Sequence, residues 1–180
     1  MTVQLLGMKH TGKSTLGKKL AQVRRLPFRD LDQLLENLPE AQGRSARDVY
    51  RSGGKALFQR LEALAAAAAV QEMRQAPLVL AWGGGTIDNP PAVNHLASIG
   101  VLIHLKEKPE ILFERILKGG LPAFLSPDHP WEDFQVLYRE RTLRMREVCT
   151  IELELSGVDL DTAFRRLSES LESLDRPTGE

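Results

Sequence analysis

The chain has 180 residues, 42% of them hydrophobic and 27% charged, an ordinary composition for a globular protein and enough for one sizeable core. Lys plus Arg and Asp plus Glu balance at 24 each, so the overall charge gives no support to a nucleic acid or an acidic membrane surface as partner, and no apolar run approaches a membrane span. The single Cys149 excludes an internal disulfide, fits a reducing compartment, and reads as a core residue at the start of a strand rather than a nucleophile.

The first element is "VQLLGMKHTGKSTLGKKL". Val3 to Leu6 supplies a strand that starts almost at Met1. That leaves no room for a signal peptide, and the expected location is the cytoplasm. The stretch from about Lys13 to Val23 reads as a helix. Between them Gly7, Gly12, Lys13 and Ser14 have the spacing G-x-x-x-x-G-K-[ST], the phosphate-cradling loop. Such a loop wraps the β-phosphate with backbone N–H groups at a helix N-terminus, where the dipole favours an anion. Mg·ATP or Mg·ADP is therefore expected along Gly7, Met8, Lys9, His10, Thr11, Gly12, Lys13, Ser14 and Thr15. Lys13 would reach the β- and γ-phosphates, and the Ser14 hydroxyl would ligate Mg²⁺.

"PFRDLD" reads as a short strand and its exit. Asp30 and Asp32 stand two residues apart at its carboxyl end, where ligands gather in open α/β sheets. Alternation along a strand lets such a pair share a face. One carboxylate can hold the metal shell and the other can take a proton from a hydroxyl; alternatively, one of them caps the next helix. "LEALAAAAAVQEMRQ" is a strong helix former. "PLVLAW" is a buried strand running into Gly83, Gly84 and Gly85, whose lack of side chains lets the backbone approach a ligand. Asp88 or Asn89 suits a helix cap before Pro90. "GVLIHL" and "CTIELEL" are further strands. "PEILFERILK", "WEDFQVLYRERTLRMREV" and "DLDTAFRRLSESLESL" carry apolar residues at helical spacing. "KGGLPAFLSPDHP" lacks that period and reads as a lid at about 118–130. Residues 175–180 read as a disordered tail after one domain over 1–174. The β-α alternation argues for a parallel sheet with helices on both faces.

The order and spacing of "GMKHTGKST", "FRDLDQLLE", "FQRLE", "WGGGT", "LPAF" and "RERTLRM" resemble shikimate kinase, of the nucleoside-monophosphate-kinase-like P-loop proteins, over about residues 2 to 170. The resemblance implies a three-layer αβα sandwich with a five-stranded parallel sheet. It also implies ATP-dependent phosphorylation of shikimate to shikimate 3-phosphate, with ATP and Mg²⁺ required. Lys13 and Asp32 would be catalytic, and Ser14 and Asp30 would organise the metal. Asp32, Gly83, Gly84, Gly85 and Arg141 would bind the acceptor, with Arg141 on its carboxylate. Arg115 would lie near the adenine. The implied partner is a small molecule, with no nucleic acid or membrane, on a monomer or weak oligomer.

The chain departs from the family pattern at several of these segments. Gln59 stands where the helix arginine is expected, and Arg60 follows one place later, about 100° round the helix. Leu121 stands at the lid arginine, His10 at a usual glycine, Lys55 at a usual glutamate and Met145 at a common tyrosine. Lys118 or Arg60 is the sequence's candidate for compensation. The departures keep two other readings open: a kinase for another small hydroxylated metabolite, and a nucleotide-binding relative with little or no activity.

Overall fold

The computed structural model describes residues 1–122 and 125–175. The expected tail lies outside them apart from Asp175, and so do Ala123 and Phe124 of the segment read as a lid. Five strands form one sheet: β1 (Val3–Leu6), β2 (Phe28–Asp30), β3 (Val79–Ala81), β4 (Val101–Lys106) and β5 (Ile151–Glu154). All neighbours are parallel, in the order β2-β3-β1-β4-β5. The helices are α1 (Lys13–Arg24), α2 (Leu31–Glu36), α3 (Ala46–Gln75), α4 (Pro90–Leu96), α5 (Pro109–Leu117), α6 (Pro130–Val148) and α7 (Leu160–Asp175).

Alternation along β1 builds the two faces. Val3 and Leu5 enter a cluster with Leu16 and Leu20 of α1 and Leu167 and Leu171 of α7. Leu6 enters the opposite cluster, with Leu31 and Leu35 of α2, Leu61 and Ala65 of α3, and Leu96 of α4. The result is the expected three-layer sandwich. Gln4 is fully buried among these residues. It is tolerated because its amide donates to the carbonyls of Leu96 and Ile99 and its oxygen accepts from the Trp82 indole.

α3 packs against α2 and α4, with Ala65, Ala66 and Ala69 of its alanine run buried in the core. The helix begins earlier than the run suggests and is broken at Gly54, whose φ of 69° belongs to the left-handed region. Cys149 caps α6 and packs half-buried against the core. A third cluster joins Met8, Leu112, Ile116, Leu125 and Phe134, so the chain from Leu125 onward is anchored near the loop that follows β1. Among the described residues no helix is long and apolar enough to cross a membrane.

The strand order fixes where a ligand goes. From β1 the chain passes to β2 and β3 on one side and later to β4 and β5 on the other. The crevice therefore opens at the carboxyl end of β1, between β3 and β4.

Candidate active site

The loop Gly7 to Gly12 leaves β1 into this crevice and enters α1. Gly12 caps α1 in the left-handed conformation with no side-chain hydrogen bond, and the first turn carries no acidic residue. The amides of that turn are thus available to an anion. Lys13 is buried and folds back over the loop, its Nζ donating to the carbonyls of Gly7 and Met8 at 2.9 Å each. Burial pulls its pKa down to about 8, against the opposing pull of Asp32 and Asp30. His10 adopts a φ of 68°, which costs a residue with a Cβ about 1 kcal/mol. Burial and the neighbouring Lys9, Lys13 and Arg115 lower its pKa, so its ring is neutral at pH 7.

The two aspartates do not share a strand face. Asp30 ends β2 and caps α2, its Oδ1 accepting from the Asp32 amide at 3.1 Å, so Asp32 sits in the first turn of a helix. The capping and ligand readings therefore coexist. The other oxygen of Asp30 accepts from Ser14 Oγ at 2.7 Å. These two hard oxygen donors beside a phosphate loop fit an Mg²⁺ that keeps most of its ligands as water and phosphate. Among the described residues no group of three or more His, Cys, Asp or Glu side chains could hold a metal alone. Asp32 is half-buried, and burial together with Asp30 raises its pKa.

The three glycines lie at the junction of these parts. A Cβ at Gly83 would meet Asp32 Oδ1 at 2.8 Å. One at Gly84 would meet the Lys9 amide nitrogen at 2.9 Å. One at Gly85 would meet Arg141 Nη2 at 3.3 Å. The turn is held from α3 by buried Glu62, which accepts from Thr86 Oγ1 at 2.6 Å and Asn89 Nδ2 at 2.7 Å. Burial raises the Glu62 pKa and these two donors oppose the rise. Asn89 begins α4 but its side chain makes no cap bond, because it is turned to Glu62 and the Gln59 carbonyl. Asp88 does not cap either. Its carboxylate pairs with Arg141 at 2.7 Å and with Arg144 at 2.8 Å.

A cavity of about 480 Å³ opens beside the turn, between α3 and α6, with Tyr50, Phe58, Gln59, Leu125, Leu137 and Arg141 in its wall. Lys55 also lines it, whereas Arg60 and Lys118 are exposed elsewhere. Leu121 is 42% exposed. Arg115 reaches the loop, donating to the His10 carbonyl at 3.0 Å, and lies 3.5 Å from buried Glu107. Of the residues expected from the sequence, Lys9, Lys13, Ser14, Asp30, Asp32, Gly83, Gly84, Gly85 and Arg141 are brought near one another, and Arg115 meets the loop at His10. The sequence reading missed Glu62, Thr86, Asn89 and Asp88 as working parts. The only signal was their closeness to the glycines and, for Glu62, its place in "FQRLE".

A parallel sheet of this order with a phosphate loop after β1, a Ser–Asp pair beside it and an adjoining cavity defines a P-loop kinase for small molecules. A family model described as shikimate kinase matches residues 9–172. A shikimate kinase of Thermus thermophilus is 31% identical over 174 residues, 96% of this chain and 86% of that one. The Chlamydia pneumoniae enzyme is 30% identical over 160 residues, 88% and 89% of the two chains. Among solved structures, shikimate kinase from Acinetobacter baumannii in complex with shikimate superposes with a TM-score of 0.77 at 24% identity, over 97% of this chain and 92% of that one. The chain belongs to the shikimate kinase family, and with it to the ATP-dependent small-molecule kinases.

Proposed function

We propose that this protein transfers the γ-phosphoryl group of ATP to a hydroxyl of shikimate or of a ring polyol of the same class, with shikimate 3-phosphate as the product in the first case. The observation that supports it is the placement of Asp32 near the buried Lys13 and against Gly83 of the glycine turn, whose Gly85 lines the cavity. In this reading Asp32 accepts the acceptor's hydroxyl proton, and burial, by raising its pKa, makes it a better base than a free aspartate. The acceptor oxygen forms a bond to the γ-phosphorus as the bond from that phosphorus to the bridging oxygen breaks and ADP leaves. Lys13 leaves the carbonyls of Gly7 and Met8 for the phosphates, and the loop amides hold the β-phosphate. Ser14 and Asp30 would hold Mg²⁺, which neutralises phosphate charge. Arg115 would border the nucleoside. Residues 118–122 would close over it and exclude water.

The test is a coupled assay of ADP release from Mg·ATP with shikimate, with identification of the phosphorylated product. A phosphorylated acceptor that disappears with Lys13→Ala supports the kinase. Wild-type nucleotide affinity in Lys13→Ala, with no acceptor turned over by either protein, refutes it.

A further inference from the structure

We infer that Lys55 supplies the second cation for the acceptor's carboxylate, together with Arg141, in place of the arginine that residue 59 does not provide. The inference rests on the acceptor lying in the cavity beside the glycine turn, as in the proposed function.

Gln59 cannot take that part. It is neutral, and its Nε2 donates to the Asp88 carbonyl at 2.9 Å. Arg60 and Lys118 are exposed outside the cavity wall. Lys55 stands four residues before Gln59, directly after the break at Gly54, so the two share one face of α3. Both line the cavity.

The charges of the wall show that Lys55 is available. Four acids, Glu62, Asp88, Asp133 and Glu140, stand against two bases, Lys55 and Arg141, but each acid is already engaged. Glu62 accepts from Thr86 and Asn89. Asp88 is shared by Arg141 and Arg144. Asp133 accepts from the Ser126 amide at 2.9 Å, and Glu140 lies 3.7 Å from Arg144. Lys55 makes no hydrogen bond or ion pair with any described residue.

Arg141 complements it from α6. Its Nε and Nη2 lie 2.8 and 2.7 Å from Asp88 Oδ2, whereas Nη1 reaches only the Gly84 carbonyl at 3.4 Å. Arg144 holds the other oxygen of Asp88. Asp88 thus fixes the guanidinium without using all of its N–H groups. Nη1 can meet one carboxylate oxygen while the Lys55 ammonium meets the other. A lysine is a point charge on a flexible stem and needs no fixed fork geometry, so it can reach a ligand held between the two helices. Phe58, Leu125 and Leu137 of the same wall suit the apolar part of a ring.

The probes are shikimate and its reduced alcohol, in which a hydroxymethyl group replaces the carboxylate. Binding to the wild-type protein, Lys55→Gln and Lys55→Arg is measured by calorimetry in Mg·ADP at low and high salt, with turnover measured in Mg·ATP. Lys55→Gln should weaken shikimate about three- to tenfold, between the worth of an exposed ion pair and that of a buried charged contact, and leave the alcohol unchanged. Lys55→Arg should retain shikimate. Salt should weaken shikimate less in Lys55→Gln than in the wild type. Equal Mg·ADP affinity in the three proteins reports that each is folded. An equal loss for both ligands, unchanged shikimate affinity in Lys55→Gln, loss of shikimate in Lys55→Arg, or no shikimate binding by the wild type overturns the inference. If Lys55→Gln phosphorylates shikimate with the wild-type KM, the inference fails and the kinase reading stands. The expected binding pattern without a phosphorylated product leaves Lys55 its role and refutes the kinase reading instead.

Discussion

Three consecutive glycines with three different neighbours allow the parts of this site to be perturbed one at a time. None of Gly83, Gly84 and Gly85 has φ in the left-handed region, so alanine is permitted by the backbone and only the space around its Cβ matters. At Gly84 that atom would meet the Lys9 nitrogen at 2.9 Å and Lys9 Cα and Cβ at 3.2 Å. The first two cannot turn aside, so the phosphate loop and the glycine turn must part by several tenths of an ångström. Overpacking of this kind costs about 1–3 kcal/mol. Because the loop amides are positioned by that packing, the loss of one charge-assisted contact to phosphate should raise the Kd for ADP by roughly ten- to a hundred-fold. At Gly85 the neighbour is the end of the Arg141 side chain at 3.3 Å, which can give way. Gly85→Ala should leave ADP affinity alone and alter only the acceptor KM. Gly83→Ala meets Asp32 Oδ1 at 2.8 Å and should lower kcat more than it changes either affinity. Calorimetric titration of the three variants with Mg·ADP, beside urea unfolding to confirm a folded state, separates these outcomes. A folded Gly84→Ala protein with wild-type ADP affinity would refute the claim that this contact sets the loop.

Lys13 is a base whose folded pKa is depressed to about 8 from an ordinary 10.5, so above pH 8 the unfolded chain holds more protons and this group makes stability rise with pH up to about 10.5. Lys13→Met should abolish that rise and be more stable than the wild type below pH 8, by up to about 3 kcal/mol, while losing nucleotide affinity; parallel wild-type and variant urea curves from pH 7 to 10 would contradict it. Gln59→Arg alone should improve shikimate binding little, because Asp88 is there to meet the new guanidinium, whereas Gln59→Arg with Asp88→Asn should exceed the sum of the single changes by about 1 kcal/mol; additive effects on KM would count against this. Amide exchange at residues 118–122 should slow when Mg·ADP and acceptor bind, while the Ser126 amide, which donates to Asp133 at 2.9 Å, is protected throughout. Equal protection at 118–122 in both states would make that segment a fixed connection.

What was legible in the sequence was what is local. The phosphate loop is contiguous, and its strand and helix flank it directly, so spacing alone placed Gly7 to Ser14. β1, β3 and β4 announced themselves as apolar runs between helical periods, whereas β2 and β5 are short and half polar. The aspartate pair was found but misplaced, since alternation assumes that the strand continues, whereas the chain turns helical at Leu31. Asp88 could not be found in this way. Its partners on α6 lie 53 and 56 residues further along the chain, and the local context "DNPP" reads as a helix cap. Glu62 was hidden similarly, because its partners Thr86 and Asn89 are brought to it by the β3 turn, across 24 and 27 residues. The resemblance supplied Arg141 but not the acid that occupies it.

The turn after β3 also separates the contacts that hold the phosphate loop from those that line the cavity. On the nucleotide side the turn is fixed by backbone against backbone, Gly84 on Lys9. A substitution there moves the phosphate loop and damages transfer for any acceptor. On the other side the contacts are side chain to side chain, Asp88 with Arg141 and Arg144, and Gln59 on the Asp88 carbonyl. Those can be exchanged without shifting the loop, because Glu62 holds the turn from beneath through Thr86 and Asn89. Phosphoryl transfer depends on position, which the rigid side preserves. Acceptor class depends on the sign of a few charges, which the other side is free to change. Residues 59 and 88 belong to the exchangeable side of the turn, whereas the loop that carries Lys13 and Ser14 packs on the side fixed by backbone.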